Sequence, residues 1–501
     1  MLLIIRGKDI NSDTSISAGA VVVGSGAGGA TAAYLLSEAG IDVVMVEEGG
    51  YYTSENFTGR VSDMMGMLYR DSGMTPVFGK PNIPFAEGCC VGGSTVINGG
   101  LCWRTPEEIL NRWSYSYKLP MLDEDYMSEI FVRIEKDLNI SVQSNESANM
   151  ASKKLEEGCR RLKWRYEPVS RAQVGCENSN RCPTGCPTGA KQSMLVTYIP
   201  KMLDNGSRLY SNARVEKILI RGSKAVGVEA VVRNGRRKSK LRVNAERVFL
   251  GCGSMQTPYL LKRNGFNRNI GKNLQIHLNI KVVALFDEDI NPHIGTMMTS
   301  QVKEFEKENI FIGSSNFDPV YLALTLAPHA NKVIERLCNN WKKVAIYLAQ
   351  IKCSGVGRIF TNRFVNRPLP IYNLTREDEV RVGTALEKLA EVVFASGAKE
   401  LYLPISKSPV IRSVRNIKDF LSGLTGFKNA DFLSVHAMST CAMGVDNSSS
   451  AVNPFGLLHG TKNVFISDAS ILPESTGVNP QLTIMALVHR NMIEILNSGG
   501  H

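Results

Sequence analysis

The chain has 501 residues, 43% apolar and 21% charged, the balance of an ordinary globular protein with core enough for about two domains. Lys and Arg exceed Asp and Glu by 58 − 47 = 11, yet the densest basic run, RNGRRKSKLR at 233–242, carries no aromatic residue, which argues against single-strand nucleic-acid binding. No apolar run approaches the roughly 20 residues of a membrane helix, and the opening MLLII is too short for a signal peptide, so a cytoplasmic protein with no membrane span and no nucleic-acid partner is expected.

The first clear pattern is AGAVVVGSGAGGATAAYLLSEAGIDVVMVEEGG at 18–50. AVVV reads as a buried parallel strand. Gly24, Gly26 and Gly29 follow in G-x-G-x-x-G spacing, a helix runs to Gly40, and DVVMVE reads as a second strand. The acid Glu47 stands 23 residues after Gly24. This βαβ context predicts a dinucleotide site. Gly24 permits the tight turn, Gly26 lets the backbone approach a pyrophosphate, and Gly29 allows close helix–strand packing. Glu47, with Glu48 as the fallback, would accept hydrogen bonds from a ribose diol. The motif leaves NAD and FAD both open.

Residues 87–106 read EGCCVGGSTVINGGLCWRTP. Such a density of small residues brings backbone close to something flat or to another backbone. With VEEGG before it, GCCVGGSTVINGG resembles the glucose-methanol-choline (GMC) family of FAD-dependent oxidoreductases. The resemblance implies that Gly92, Gly93, Ser94 and Asn98 line the flavin, with Asn98 near its reactive edge. Some members attach the flavin through a histidine near this segment. None of the chain's seven histidines precedes residue 277, so non-covalent FAD is expected.

Eleven cysteines, an odd count with no secretory signal, read as reduced thiols. Cys176, Cys182 and Cys186 cluster in CENSNRCPTGCPTGAKQS. Three thiolates this close can hold zinc or an iron–sulfur cluster. Some bacterial sugar dehydrogenases of the family carry a three-iron cluster on a similar segment and pass electrons to a cytochrome. Cluster-free relatives, including long-chain alcohol oxidases, show GCxxGAK here, and a structural loop is the preferred reading. Val215, in NARVEKILI, falls on the strand whose backbone commonly meets the adenine in this family. Asn-Gly between AVGVEAVV and KLRVNAERV predicts a solvated hairpin. FLGCGSMQTPYLLKRNGF at 249–266 is similar to the family's second glycine signature. NIGKNLQIHL at 269–278 is similar to its GxNLxxH stretch, with Leu278 where the family usually has Pro; His277 reads as structural.

SVHAMSTCAMG at 434–444 and NVFISDASILPESTGVNPQLTIMALVHRN at 463–491 resemble the end of GMC enzymes. There a histidine and a second His or Asn face flavin N5, which implies His436 and Asn479. Asp468 matches the acid near the ribityl and phosphate. Asn479 followed by Pro480 reads as an N-cap and first helical residue. The helix N-terminus at Pro480, pointed at flavin N1 and C2=O, would stabilise the reduced, anionic flavin. His293, His329, His459, His489 and His501 carry no motif.

The expected fold is α/β: a discontinuous Rossmann-like FAD-binding domain (18–106, 190–280 and 436–501) with an antiparallel-sheet substrate-binding and connecting domain (107–189 and 281–435). The expected reaction is oxidation of an alcohol to aldehyde or ketone by hydride transfer to flavin N5. His436 would be the base, Asn479 would orient the substrate oxygen, and oxygen or an electron carrier would reoxidise the flavin. The alternatives are an iron–sulfur multi-subunit sugar or alcohol dehydrogenase of the same family and a GMC-like hydroxynitrile lyase.

Overall fold

A computed structural model describes residues 3–498; His501 lies outside them. Two large sheets each bury their own core. In the first, Ile4–Ile5, Arg208–Tyr210, Val43–Val46 and Thr14–Val23 run parallel side by side. Arg237–Leu250 lies next, parallel to Thr14–Val23, with Leu250 opposite Val23. Its end also pairs in parallel with Val464–Ile466. Thr14–Val23 is half-buried along its outer part and fully buried from Ala20. That is the pattern of a parallel strand passing beneath covering helices.

The basic run forms the expected hairpin. Lys224–Asn234 and Arg237–Leu250 are antiparallel, Asn234 opposite Arg237, and Gly235 at φ +56° supplies the left-handed turn conformation. Helix Ala27–Glu38 covers the parallel strands and packs against helix Gln481–Asn497. The latter is buried almost all round, taking Gln481, Thr483, His489, Arg490 and Asn491 inside with its apolar residues.

The second sheet runs Thr75–Val77, Ile83–Phe85, Leu433–Met438, Gln275–Leu285, Val344–Lys352, Ile310–Ser314, Ser300–Val302 and Tyr166–Pro168. Its pairs are antiparallel except Leu433–Met438 with Ile83–Phe85. Along Gln275–Leu285, Ile276, Leu278, Ile280 and Val282 enter the second core, under helices Met150–Leu162 and Arg376–Ala395. His277, Asn279 and Lys281 therefore face the other way.

The units interleave more than the sequence boundaries assume. Thr75–Val77 and Ile83–Phe85, inside 18–106, belong to the second sheet because they continue its ladder. Helices Glu107–Tyr115 and Glu124–Asp137, inside 107–189, join the first core through Ile109, Leu110, Trp113, Met127 and Ile130. No helix among the described residues is long and apolar enough to cross a membrane.

Candidate active site

A cavity of about 1040 Å³ runs between the two sheets, at the upper end of the range for ligand sites. One end is walled by the glycine loop and Glu47. Gly93, Ser94, Asn98, Val215 and Asp468 border its length, and His436, Asn479 and Pro480 also line it.

The three motif glycines do three different things. Gly24 sits at φ +95°, and a Cβ there would meet Gly251 O at 2.3 Å. A Cβ at Gly29 would meet Gly24 O at 2.2 Å. At Gly26 nothing lies within 4 Å, so its bare Cα opens on the cavity. Gly24 and Gly29 thus serve packing, and Gly26 leaves room for a ligand. The first N–H groups of helix Ala27–Glu38 lack intrahelical partners and suit an anion there.

Glu47 is buried and organises this loop. Its carboxylate accepts from Ser25 N at 2.9 Å, Ser25 Oγ at 2.7 Å and Gly49 N at 2.8 Å. Burial raises its pKa against these donors. Gly92 N donates to the same Ser25 Oγ at 2.9 Å, joining the two glycine-rich segments. Ser25 was not singled out by the sequence. The fallback acid Glu48 is already engaged: Arg70 forks onto it at 2.8 and 3.2 Å and reaches Glu87 at 2.6 Å.

The second segment is pinned from outside. Gly93 at φ +55° packs on Gly26, where a Cβ would meet Gly26 Cα at 2.8 Å. Gly88 N donates to Ser94 Oγ at 3.0 Å. Asn98 Nδ2 donates to Gln481 Oε1 at 2.5 Å, and Gly100 N donates to Asn98 Oδ1. Lys191, buried, donates to Val96 O (2.5 Å), Asn98 O (2.8 Å) and Cys182 O (2.7 Å). Desolvation pulls its pKa down to about 8. Val215 borders the cavity beside a β-bulge between Val215 and Lys217, which turns backbone away from the ladder. Asp468 Oδ2 accepts from Gly253 N at 2.9 Å and Thr257 Oγ1 at 2.5 Å, fixing the strand–helix corner below it.

At the other end, His436 stands on Leu433–Met438 opposite His277 on Gln275–Leu285. Their rings meet edge to face, Nδ1 to Nδ1 at 3.1 Å. His277 Nε2 reaches Ser475 Oγ at 2.7 Å, and Asn479 Nδ2 lies 3.4 Å from His436 Nε2. An amide nitrogen only donates, so His436 Nε2 accepts. A neutral His436 then carries its proton on Nδ1 and donates to His277 Nδ1. His277 in turn donates from Nε2 to Ser475 Oγ. Burial supports the neutral forms: it lowers the His436 pKa to about 4 and that of His277 well below its usual value.

Two sequence expectations change here. His277, read as structural, holds the back of His436; its partner lies 159 residues away and no local pattern announced the pairing. Asn479 does not cap. The helix begins at Gln481 with Pro480 in the cap position and no side-chain cap bond, because the Asn479 amide is turned to His436. Cys176, Cys182 and Cys186, the alternative metal ligands, border one small cavity. Arg171 donates to Cys182 Sγ at 3.2 Å, Lys191 N donates to Cys186 Sγ at 3.5 Å, and Cys176 meets Thr296. Among the described residues no group of three or more His, Cys, Asp or Glu side chains is placed to hold a metal ion.

Comparisons with known proteins agree with this architecture. Family models described as GMC oxidoreductase match residues 65–279 and 366–487, and one for an NAD(P)-binding Rossmann-like domain matches 22–74. The chain is 36% identical to the GMC-type oxidoreductase y4nJ of Sinorhizobium fredii, over 97% of this chain and 95% of that one. It is 26% identical to the long-chain-alcohol oxidase FAO4A of Arabidopsis thaliana, over 96% of this chain and 69% of that one. Among solved structures, pyridoxine 4-oxidase from Mesorbium loti superposes with a TM-score of 0.72 at 17% identity, over 97% of this chain and 99% of that one. The chain belongs to the GMC family of FAD-dependent oxidoreductases.

Proposed function

We propose that this protein oxidises an alcohol at the end of the cavity where His436 and Asn479 meet, and that it holds FAD without a covalent bond. The observation that carries the reading is the His277–His436–Asn479 row on the cavity wall. His436 presents an unprotonated Nε2 to the cavity, kept so by burial and by the Nδ1 bond to His277. A substrate hydroxyl that displaces the Asn479 amide from this nitrogen can pass its proton there. The freed amide then donates to the substrate oxygen and fixes its carbon. Bound FAD supplies the two-electron oxidation.

Gly24, Gly26 and Glu47 border the adenine-dinucleotide half in this reading, Gly29 packing the helix behind them, with Val215 beside the adenine. Asp468 orders the corner near the ribityl and phosphates. Gly93, Ser94 and Asn98 lie along the ring, with Gly92 behind them donating to Ser25, and the helix behind Pro480 offers its free N–H groups. His436 is the histidine among the cavity-lining residues, and both its ring nitrogens are engaged, which supports non-covalent binding. Alcohol oxidation is also what the name of the Arabidopsis relative states for that protein.

The test is the absorption spectrum of anaerobically purified protein, before and after denaturation and after adding primary alcohols. FAD released on denaturation, and bleached by an alcohol in the folded protein, is the expected result. His436→Ala should keep the flavin and lower turnover by roughly 10²–10⁴-fold. A flavin that no alcohol bleaches, or a His436→Ala variant of unchanged turnover, overturns the assignment.

A further inference from the structure

Beyond the histidine pair, the sheet face that looks into the cavity carries polar side chains that engage nothing in the protein. Lys281 follows His277 and Asn279 on the same face of Gln275–Leu285 and borders the cavity. It makes no hydrogen bond or ion pair among the described residues; its ammonium lies 6.0 Å from the Tyr321 ring. Gln350 stands directly opposite Asn279 on Val344–Lys352. It is buried, and its Nε2 has no partner. Gln301 reaches the same wall three strands beyond Lys281, with Leu348 and Gly313 on the two strands between. Asn279, Gln301 and Gln350 all line the cavity.

Lys281 is half-buried on the cavity wall, and an ammonium largely shielded from water with no counter-ion is costly. Burial alone pulls the Lys281 pKa down to about 8. Of the other cations along the cavity, Arg70 and Arg214 are paired with Glu48, Arg70 also with Glu87 and Lys217 with Glu229, while Arg263 is exposed. A ligand anion would give Lys281 its missing partner and the three amides their missing hydrogen bonds. Leu348 stands directly opposite Lys281 and lines the cavity with Met298, apolar surface that a hydrocarbon chain can lie against, while Asn279 and Gln350 sit one step nearer the histidines.

We infer that the substrate is an alcohol bearing a carboxylate at its far end, with Lys281 as the counter-ion and Asn279, Gln301 and Gln350 as its hydrogen-bond partners. For the reacting end this rests on the alcohol-oxidation reading above. Four residues of strand separate the His277 and Lys281 backbones, about 13 Å. The hydroxyl and the carboxylate therefore sit at opposite ends of a chain rather than on neighbouring carbons.

Two measurements on the holoenzyme test this. In the first, calorimetry follows the binding of octanoate, which has no hydroxyl to oxidise. Octanoate should bind, at least tenfold more weakly to Lys281→Met, with affinity largely restored in Lys281→Arg. No binding, or equal binding to wild type and Lys281→Met, overturns the inference. In the second, kcat/KM for ω-hydroxyoctanoate should exceed that for 1-octanol at least tenfold, and Lys281→Met should erase that ratio. If octanol is oxidised as well as the hydroxy acid, the inference falls and the alcohol reading stands. If neither is oxidised while octanoate binding depends on Lys281, the anion site stands and the alcohol reading falls.

Discussion

His277 and His436 stand opposite each other on paired antiparallel strands, their Nδ1 atoms 3.1 Å apart and the ring of His277 wholly buried behind the ring that lines the cavity. The pair fixes which nitrogen of His436 is free to act. His277→Ala should leave FAD bound and lower kcat on the order of 10²-fold. The acid limb of the kcat/KM profile should move up from about 4 toward the ordinary histidine value of ~6.5, as water enters behind His436. His277→Gln, which keeps a hydrogen-bonding group, should recover part of the rate. A Gln variant as slow as Ala, with an unmoved limb, would reduce His277 to packing.

Acid sensitivity follows from buried neutral histidines. His436 and His489 have pKa values lowered to about 4, chiefly by desolvation. In the unfolded chain they titrate near ~6.5. Between those values the unfolded state binds more protons, so stability falls as pH drops from about 6.5 toward 4. His489, buried with neither ring nitrogen bonded, should make this visible. His489→Leu should raise stability at pH 7 by about 1–2 kcal/mol and flatten the decline below pH 6.5. Urea midpoints at several pH values are the measurement.

Gly24→Ala should cost the protein its cofactor. The position needs φ +95°, and the new methyl would strike Gly251 O at 2.3 Å, displacing the turn that shapes the loop. The flavin-to-protein ratio should drop at least tenfold. Gly40→Ala is the control. It also has positive φ, +79°, but open space around it, so about 1 kcal/mol of strain and full flavin content are expected.

Lys191→Met should loosen the flavin segment. The variant keeps the stem and removes three donors from the carbonyls of Val96, Asn98 and Cys182. Unpaired buried carbonyls predict a loss of about 2–4 kcal/mol. Flavin should dissociate faster than from a Cys182→Ser variant, which keeps the Cys182 carbonyl and should retain nearly full turnover. Equal flavin retention in the two variants would mean the three bonds hold nothing the cofactor needs.

What the sequence made legible was local. The glycine spacing, the β-branched run before it and the Asn-Gly hairpin each depend on backbone constraints within a few residues. The family resemblance added His436 and Asn479. The sequence did not reveal what depends on register between distant strands. His277 meets His436 only because Gln275–Leu285 and Leu433–Met438 pair as they do. The second sheet likewise recruits Thr75–Val77 and Ile83–Phe85 from inside the nucleotide unit. A usable signal did exist at 275–285. Polar His277, Asn279 and Lys281 alternate with Leu278, Ile280 and Val282, a period of two that marks a strand with one functional face. At Asn479 only the capping half of the expectation fails: Asn before Pro is a favoured helix start, but the helix begins at Gln481 and the Asn479 amide is turned to His436.

Strand Arg237–Leu250 has a consequence for how the molecule comes into being. Near its end it is flanked on one side by Thr14–Val23 and on the other by Val464–Ile466. During synthesis the glycine loop emerges early, but the sheet that carries it stays unfinished until residue 466 has left the ribosome. Until then Val248–Leu250 presents an unpaired edge, a hazard for association with other chains. Closing so long a loop also makes folding slow. A ribosome-stalled chain ending before residue 464 should bind no flavin and should recruit chaperones, whereas a released chain matures in one late step.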